Sequence, residues 1–216
     1  MERVLPFALL ISGRGSNMIA LARAASEGRI AGRLVAVISD QPAALGLVEA
    51  RRLGLATEVV EAAGRADRAA LSQRLTGILE RHGAELIALA GFMRILDAGF
   101  VRRWQGQLLN IHPSLLPAHR GLHTHRRVLA AGDPKHGCTV HFVTEELDAG
   151  PAIIQGRLTV SAGDTEASLS ARVQKLEHII YPRAVGWFAA GRLQWKDGAA
   201  MLDGGPLKTP VVEDAQ

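Results

Sequence analysis

The residues best suited to chemistry are an amide and an imidazole two positions apart in Leu108-Leu109-Asn110-Ile111-His112, an apolar run that Pro113 and Pro117 bring to an end. Alternate residues of an extended strand point to the same face, so we expect Asn110 and His112 to enter one crevice at the strand's carboxyl end. An amide N–H can stabilise a developing oxyanion, and an imidazole can donate or accept a proton. The pair therefore favours acyl transfer, although capping of a loop by both side chains is the alternative.

A carboxylate that could serve this pair lies in the acidic loop Thr144-Glu145-Glu146-Leu147-Asp148. A carboxylate beside an imidazole favours the protonated ring, which can polarise a carbonyl, so Asp148 would support His112. The alternative for Asp148 is a turn residue before the next strand. No covalent nucleophile is evident, because Ser114 lies in no G-x-S-x-G elbow and Cys138 falls inside an apolar strand.

A glycine-containing loop, Ser12-Gly13-Arg14-Gly15-Ser16-Asn17, separates a predicted strand from a predicted helix that ends at Gly28. Backbone N–H groups at a helix N-terminus can hold a phosphate. Ser16 and Asn17 could cap the helix and also face the anion. The loop lacks the lysine of a P-loop and the full G-x-G-x-x-G fingerprint, so a simple tight turn is the alternative.

The order of the elements that must position these residues predicts an α/β fold with a doubly wound, mostly parallel sheet. Four apolar runs are predicted strands, at 7–11, 34–39, 58–60 and 85–90. They alternate with helical patterns, the third of which has Asp67 as its expected N-cap. Parallel neighbours need crossover connections, and ligands bind at the carboxyl ends of the strands.

The C-terminal half predicts an antiparallel or mixed edge of the same sheet. Three apolar runs follow one another with no helix between them, at 137–143, 153–155 and 157–160. A long helix is expected from Asp164 or Thr165 to about Ala190, kinked or divided at Pro182. Short strands and a polar tail are expected from Leu193 onward, all within a single domain over residues 1–216.

The composition favours a soluble, unexported protein that binds small ligands in a reducing cytoplasm. The chain has 216 residues, of which 48% are hydrophobic and 21% charged, the ordinary range for a globular domain. Cys138 is the single cysteine, so an intrachain disulfide and a Cys-rich zinc site are excluded. The net charge of +4 is dispersed along the chain, which favours small anionic ligands over nucleic acid. No leader or membrane-length apolar span is evident.

Six of the eight histidines lie between His112 and His141, which raises the question of a metal site. No H-E-x-x-H helix or comparable spacing is present, and histidines satisfied by hydrogen bonds are commoner than ligands. His123 and His125 are expected to order their loop or to begin the helix that follows. No metal is predicted.

These segments together resemble the phosphoribosylglycinamide formyltransferases, folate-dependent enzymes of purine synthesis. The matching stretches run in family order over nearly the whole chain, at 13–17, 90–96, 109–117, 121–125 and 141–151. The asparagine–histidine motif is shared across enzymes that use formyltetrahydrofolate. The resemblance implies a Rossmann-like formyltransferase fold, with a phosphate-binding βα half at 1–105 and a catalytic and folate-binding half at 106–216.

The resemblance also implies transfer of a formyl group from the cosubstrate 10-formyltetrahydrofolate to the amine of 5-phosphoribosylglycinamide, by a cytoplasmic monomer or homodimer. The implied catalytic residues are Asn110, His112 and Asp148. The implied residues for the acceptor are Gly15, Ser16 and Asn17 at the phosphate and Glu177 at the ribose. The implied folate-binding residues are Arg68, Met93, Arg94, Ile95, Leu96, Asn110, Thr144, Glu145, Glu146, Leu147 and Asp148.

Two departures from the family pattern leave residues without a role. Ala118-His119-Arg120 replaces the aromatic residue or lysine plus proline usual before Gly121, and Arg14 occupies a variable place in the glycine loop.

Other functions are conceivable for such a chain. One is another formyl-folate enzyme, the hydrolase of 10-formyltetrahydrofolate or methionyl-tRNA formyltransferase, although a chain of this length leaves no room for the domain that each adds. The phosphate loop also favours a small phosphorylated acceptor. A non-catalytic nucleotide-binding module would use the glycine loop but would have no use for the amide, imidazole and carboxylate together.

Overall fold

The computed structural model describes residues 4–61 and 67–215, and within them it contains eleven strands and six helices. The strands are β1 Leu5–Ile11, β2 Gly32–Ser39, β3 Thr57–Val59, β4 Leu86–Leu89, β5 Leu108–His112, β6 Lys135–Phe142, β7 Ala152–Thr159, β8 Leu193–Lys196, β9 Ala199–Leu202, β10 Gly205–Pro206 and β11 Val211–Asp214. The helices are α1 Ser16–Ser26, α2 Leu45–Arg52, α3 Arg68–Arg81, α4 Ala98–Arg103, α5 Thr124–Ala131 and α6 Glu166–Ala189.

Eight of the strands form one sheet in the order β11-β7-β6-β5-β4-β1-β2-β3. The five strands from β3 to β5 are parallel, β6 is antiparallel to both of its neighbours, and β11 is parallel to β7. The predicted doubly wound, mostly parallel sheet with a mixed edge in the C-terminal half is confirmed. The strand order reverses between β1 and β4, and such a switch point is where α/β folds bind ligands.

Each face of the sheet has its own hydrophobic core, because successive strand residues point to opposite faces. Leu9 and Ile11 of β1 belong to the core that packs against α1 and α6. Leu10 and Ile38 belong to the core on the other face, which packs against α3 and α4. The result is a three-layer arrangement with the loops of the parallel strands gathered at one edge.

Helix α6 is one uninterrupted helix, so its predicted division at Pro182 is wrong. It begins as expected, with Thr165 as the N-cap in a reciprocal capping box with Ser168. Proline removes a single backbone hydrogen bond from a helix. Nine buried residues hold α6 in place, and this packing keeps the helix continuous through Pro182; the predicted kink stays a prediction.

Two other details differ from the sequence-based expectations, whereas the short strands expected from Leu193 are present. Asp67 is the N-cap residue of α3, but its side chain makes no capping hydrogen bond and instead accepts one from Arg74 Nη2 at 2.7 Å. Strands β8, β9 and β10 form a separate antiparallel sheet. The expected polar tail contains β11, which joins the edge of the main sheet and is fixed by Arg157, whose Nε and Nη2 donate to Asp214 at 2.6 and 2.9 Å.

Within residues 4–61 and 67–215, none of the helices combines the length and the apolar character that a membrane crossing needs.

A buried tyrosine of α6 ties the helix to the strands that carry the candidate site. The hydroxyl of Tyr181 lies 3.1 Å from the carbonyl oxygen of Leu89 in β4 and 3.1 Å from that of Leu109 in β5. We expect Tyr181→Phe to lower the free energy of unfolding by roughly 1–2 kcal/mol, because two buried carbonyls lose a donor. Urea denaturation measures this change.

The matched control is Ser26→Ala, which removes an exposed hydroxyl that donates to Arg23 O. Its effect should stay within about 0.5 kcal/mol. Equal effects of the two substitutions would contradict a stabilising role for the buried hydroxyl.

Candidate active site

Asn110 and His112 lie on one face of β5, as their spacing predicts. Strand β6 supplies their cross-strand neighbours, with Asn110 opposite His141 and His112 opposite Thr139. All four side chains therefore point to the same side of the sheet. The site lies over the β5–β6 pair near the end of β5, rather than wholly beyond the strand ends.

Asp148 reaches this face from the loop between β6 and β7. Its Oδ2 lies 3.4 Å from His112 Nδ1 and accepts the backbone N–H of Gly121 at 2.9 Å. Its Oδ1 lies 3.9 Å from His141 Nε2. The loop residue has a φ of 50°, the left-handed conformation that aspartate tolerates better than most residues. The structure thus brings together the three residues predicted to be catalytic.

The hydrogen bonds of His112 determine which ring nitrogen carries a proton. Its Nε2 lies 3.1 Å from the carbonyl oxygen of His119. A carbonyl only accepts, so Nε2 is the donor and Nδ1 is the nitrogen that faces Asp148.

His141 is a site residue that the sequence analysis did not single out. Its Nδ1 donates to the carbonyl oxygen of Phe142 at 2.8 Å, which leaves Nε2 to accept the Asn110 Nδ2–H at 3.1 Å. Burial lowers the pKa of His141 to about 4, so the ring is neutral near pH 7 and keeps this acceptor. The orientation of the Asn110 amide is therefore set by a neutral histidine on the adjacent strand.

The segment of Ala118, His119 and Arg120, which departs from the family pattern, supports two of the predicted catalytic residues. The His119 carbonyl accepts from His112, while the His119 ring lies 2.6 Å from Asp133 Oδ2. The next backbone N–H, at Gly121, bonds to Asp148. The segment thus fixes the imidazole and the carboxylate relative to each other.

The glycine loop begins α1 without any side-chain cap. Gly15 is the N-cap residue, with a φ of 78°, and no side chain accepts from the first turn. The expected capping by Ser16 and Asn17 is therefore wrong. A Cβ at Gly15 would lie 2.7 Å from the Cα of Gly46, so only glycine fits. An uncapped helix N-terminus offers its backbone N–H groups to an anion.

Ser16 and Asn17 instead make contacts with α6. Gln174 Nε2 donates to Ser16 Oγ at 3.0 Å, and Asn17 Nδ2 donates to Glu177 Oε2 at 2.8 Å. Burial raises the pKa of Glu177, and the hydrogen bond from Asn17 opposes this shift. Gln174 was not predicted, although it lies one turn before Glu177, which was assigned to the same acceptor.

Apolar side chains are exposed in the two loops that follow β4 and β6. Met93 is 67% exposed and Ile95 is 52% exposed in the loop after β4, and Leu147 is 55% exposed in the loop after β6. Leu96, by contrast, packs against the core beneath α3 and α4. The loops offer an apolar surface of the kind that a flat ring system requires.

Two acidic residues predicted to bind folate, in the loop after β6, are paired with arginines. Glu145 accepts from Arg102 Nη1 at 2.9 Å and Glu146 accepts from Arg120 Nη1 at 2.6 Å. Both pairs are exposed, and they connect the loop after β6 to α4 and to the segment before Gly121. Thr144 Oγ1 donates to the carbonyl oxygen of Glu146 at 3.2 Å, within the same loop.

Arg68, the last of the predicted folate ligands, is the first residue of α3 and is exposed. It lies one helical turn before Ser72, whose Oγ is 3.5 Å from the backbone nitrogen of Asp97, at the end of the loop after β4. The structure thus places Arg68 towards this loop and apart from the three predicted catalytic residues.

Comparison with known proteins identifies the family. The formyl transferase family model matches residues 5–185. The chain belongs to the formyl transferase family. It is 48% identical over 196 residues to the phosphoribosylglycinamide formyltransferase of Escherichia coli, covering 91% of this chain and 92% of that protein.

Solved structures agree with this assignment. The phosphoribosylglycinamide formyltransferase of Coxiella burnetii matches this formyl transferase with a TM-score of 0.90 and 43% identity, covering 97% of this chain and 99% of that one. A formyltetrahydrofolate deformylase from Pseudomonas syringae shares the fold, with a TM-score of 0.86 and 23% identity, covering 93% of this chain and 66% of that one. The fold alone therefore does not separate transferase from deformylase.

Three histidines outside the site are in or beside helix α5. His123 is the N-cap residue of α5 and His125 follows in its first turn, as predicted. His125 Nδ1 lies 2.9 Å from His136 Nε2. Among the described residues of this formyl transferase, no group of three His, Cys, Asp or Glu side chains is arranged to hold a metal ion.

The contact between His141 and Asn110 can be tested by removing the acceptor. We expect His141→Leu to lower kcat for formyl transfer by about tenfold or more, because the amide is no longer held, a loss of about 1.4 kcal/mol of transition-state stabilisation. His141→Gln keeps an acceptor oxygen and should retain more activity. Steady-state kinetics on folded proteins measure both, and wild-type turnover in His141→Leu would exclude the positioning role.

Two buried histidines should make stability depend on pH. Burial lowers the pKa of His136 and of His141 to about 4, from a usual value near 6.5. Between these values the unfolded chain binds protons that the folded chain does not. The free energy of unfolding should therefore decrease as the pH is lowered through this window, by about 1.4 kcal/mol per pH unit for each group.

Comparing urea denaturation of the wild type and His136→Gln across this window isolates one group. The carboxylates titrate in both proteins and contribute equally to the pH dependence. The slope of the free energy of unfolding against pH should therefore be smaller in the variant, by roughly 1.4 kcal/mol per pH unit. Identical slopes would show that His136 is not held neutral by the fold.

Proposed function

We propose that this formyl transferase moves the formyl group of 10-formyltetrahydrofolate to the amine of 5-phosphoribosylglycinamide, a cytoplasmic step of de novo purine biosynthesis. The observation that carries the proposal is the convergence of Asn110, His112 and Asp148 on one face of β5. Its similarity to phosphoribosylglycinamide formyltransferases over most of both chains supports the choice of acceptor.

The proposed chemistry is direct attack by the acceptor amine on the formyl carbon. The new N–C bond turns the formyl oxygen into an oxyanion, which accepts hydrogen bonds from the second N–H of the Asn110 amide and from the N–H at His112 Nδ1, which also faces Asp148. Asp148 takes a proton from the amine, directly or through water. The oxyanion then returns to a carbonyl as the bond from the carbon to N10 of the folate breaks, and Asp148 passes the proton of the amine to N10, directly or through water, which yields the formylated acceptor and tetrahydrofolate.

The acceptor phosphate is proposed to bind Gly15, Ser16 and Asn17 at the uncapped N-terminus of α1. Gln174, which donates to Ser16, would orient that hydroxyl towards the phosphate. Glu177 would accept a ribose hydroxyl. In the described part of the chain the buried Asn17 Oδ1 has no hydrogen-bond partner, so it is suited to a hydroxyl donor of the ligand.

The folate is proposed to lie between the loops after β4 and β6. Its ring system would contact the exposed Met93, Ile95 and Leu147. The remaining predicted folate-binding residues would line or brace the same crevice; they are Arg94, Leu96, Asn110, Thr144, Glu145, Glu146 and Asp148. Arg68 would meet the acidic glutamate tail at the outer end of the loop.

The catalytic assignment predicts large losses from small substitutions. We expect Asn110→Ala and His112→Ala each to lower kcat by about 100 to 1000-fold, because each removes one oxyanion donor. An absorbance assay of 10-formyltetrahydrofolate with phosphoribosylglycinamide measures this. The matched control is His82→Ala, at the C-terminal end of α3 beside Glu58, which should keep kcat within about twofold. Near wild-type transfer by either active-site variant would refute the mechanism.

The same assay separates the alternative functions. The wild type should consume 10-formyltetrahydrofolate only when phosphoribosylglycinamide is present. Consumption without any acceptor would indicate a hydrolase, as in the deformylase that shares the fold. Binding of both ligands without turnover would indicate a non-catalytic module, and turnover only with methionyl-tRNA would indicate a different acceptor.

A further inference from the structure

A buried carboxylate connects the loops on the two sides of the switch point. Asp40 directly follows β2, and its side chain is 1% exposed. Its Oδ1 accepts from Ser12 Oγ at 2.5 Å. Its Oδ2 accepts from Arg94 Nε at 2.8 Å and from Gln41 Nε2 at 2.8 Å. The carboxylate thus binds donors from the ends of β1 and β2 and from the loop after β4.

These contacts close a ring of hydrogen bonds. The Ser12 hydroxyl that donates to Asp40 also accepts the backbone N–H of Met93 at 2.8 Å. Met93 is followed by Arg94, which returns to Asp40. Ser12 stands directly before the glycine loop, whereas Met93 and Arg94 begin the segment proposed to bind folate.

The carboxylate in this ring is ionised at neutral pH. Burial on its own raises the pKa of Asp40, but the hydrogen bonds from Ser12, Arg94 and Gln41, together with the positive charge of Arg94, outweigh burial and hold the pKa below its usual value. Hydrogen bonds to an ionised acceptor are stronger than those between neutral groups. The ring is therefore a charge-assisted brace between two loops.

The two loops depend on this brace to different degrees. The glycine loop has further supports, since Gly46 N donates to Gly13 O at 3.0 Å and Gln174 binds Ser16. The loop after β4 is joined at its start, where Ser12 N donates to Gly91 O at 3.1 Å. Beyond that point, the hydrogen bonds that fix Met93 and Arg94 are those of the ring.

We propose that Asp40 is a positioning residue for the formyl-folate. Its carboxylate acts through Ser12 and Arg94 to hold the backbone of residues 93–96 in place for the ligand. This inference rests on the proposed function for the identity of the ligand. Asp40 itself touches neither the reacting atoms nor the acceptor loop beyond Ser12. Its loss should therefore affect one substrate and spare the other.

Steady-state kinetics of Asp40→Asn test this asymmetry. The amide keeps one acceptor oxygen but loses the charge that holds Arg94. We expect KM for 10-formyltetrahydrofolate to rise about tenfold, with kcat and KM for phosphoribosylglycinamide within about threefold of wild type. A purely structural role would lower the melting temperature and leave this ratio of the two KM values unchanged.

The matched control is Asp164→Asn. The Asp164 side chain is also little exposed, at 6%, and is also paired with an arginine, Arg172, but its other hydrogen-bond partners, Ser161 and Ser168, belong to neither loop. All three kinetic constants of this variant should stay within about twofold of wild type. A change in the folate KM here equal to that of Asp40→Asn would overturn the proposal.

A binding measurement makes the inference independent of turnover. Calorimetric titration with folic acid should give a Kd about tenfold weaker for Asp40→Asn than for wild type, whether or not the acceptor has been identified correctly. Ser12→Ala should weaken it similarly, and the double variant no further, because both remove the same ring. If Asp40→Asn does not fold, Arg94→Met opens the ring from its partly exposed side. Unchanged folic acid affinity in the folded variants refutes the positioning role.

Discussion

The antiparallel pairing of β5 with β6 is the constraint on which the candidate site depends. Its register places Asn110 opposite His141 and His112 opposite Thr139, and it alone brings an acceptor to the amide. A slip of one residue would turn these polar side chains into the core beneath α6, where Ile111 and its neighbours now pack. Burial of the hydrophobic face of this strand pair therefore sets the register that brings the polar side chains together on the other face.

Helix α6 relates this strand pair to the acceptor loop. Near its middle, Gln174 and Glu177 hold Ser16 and Asn17, and one turn later Tyr181 bonds to carbonyls of β4 and β5. A rigid rod that contacts both places sets the distance between the proposed phosphate site and the reacting groups. The same buried face that packs α6 across its internal proline therefore also relates two parts of the site.

Local pattern was enough to predict most of the elements, the doubly wound sheet and its mixed edge. The six-residue helix α4 was not predicted, because such a short segment has no readable periodicity. Strand β11 was expected to be a polar tail, since only its pairing with β7 gives Val211–Asp214 a partner. The continuity of α6 through Pro182 was likewise decided by packing that the local sequence does not contain.

The sequence by itself determined that Asn110 and His112 share a face, because alternation is a local property of any strand, and it offered Asp148 as the carboxylate that could serve them. The tertiary structure alone decided that His141 orients the amide, that His119 holds the imidazole and that Asp40 joins two loops. Asp40 and Arg94 are 54 positions apart. The physical reason is that such contacts arise from strand order and register, which depend on the packing of the whole chain.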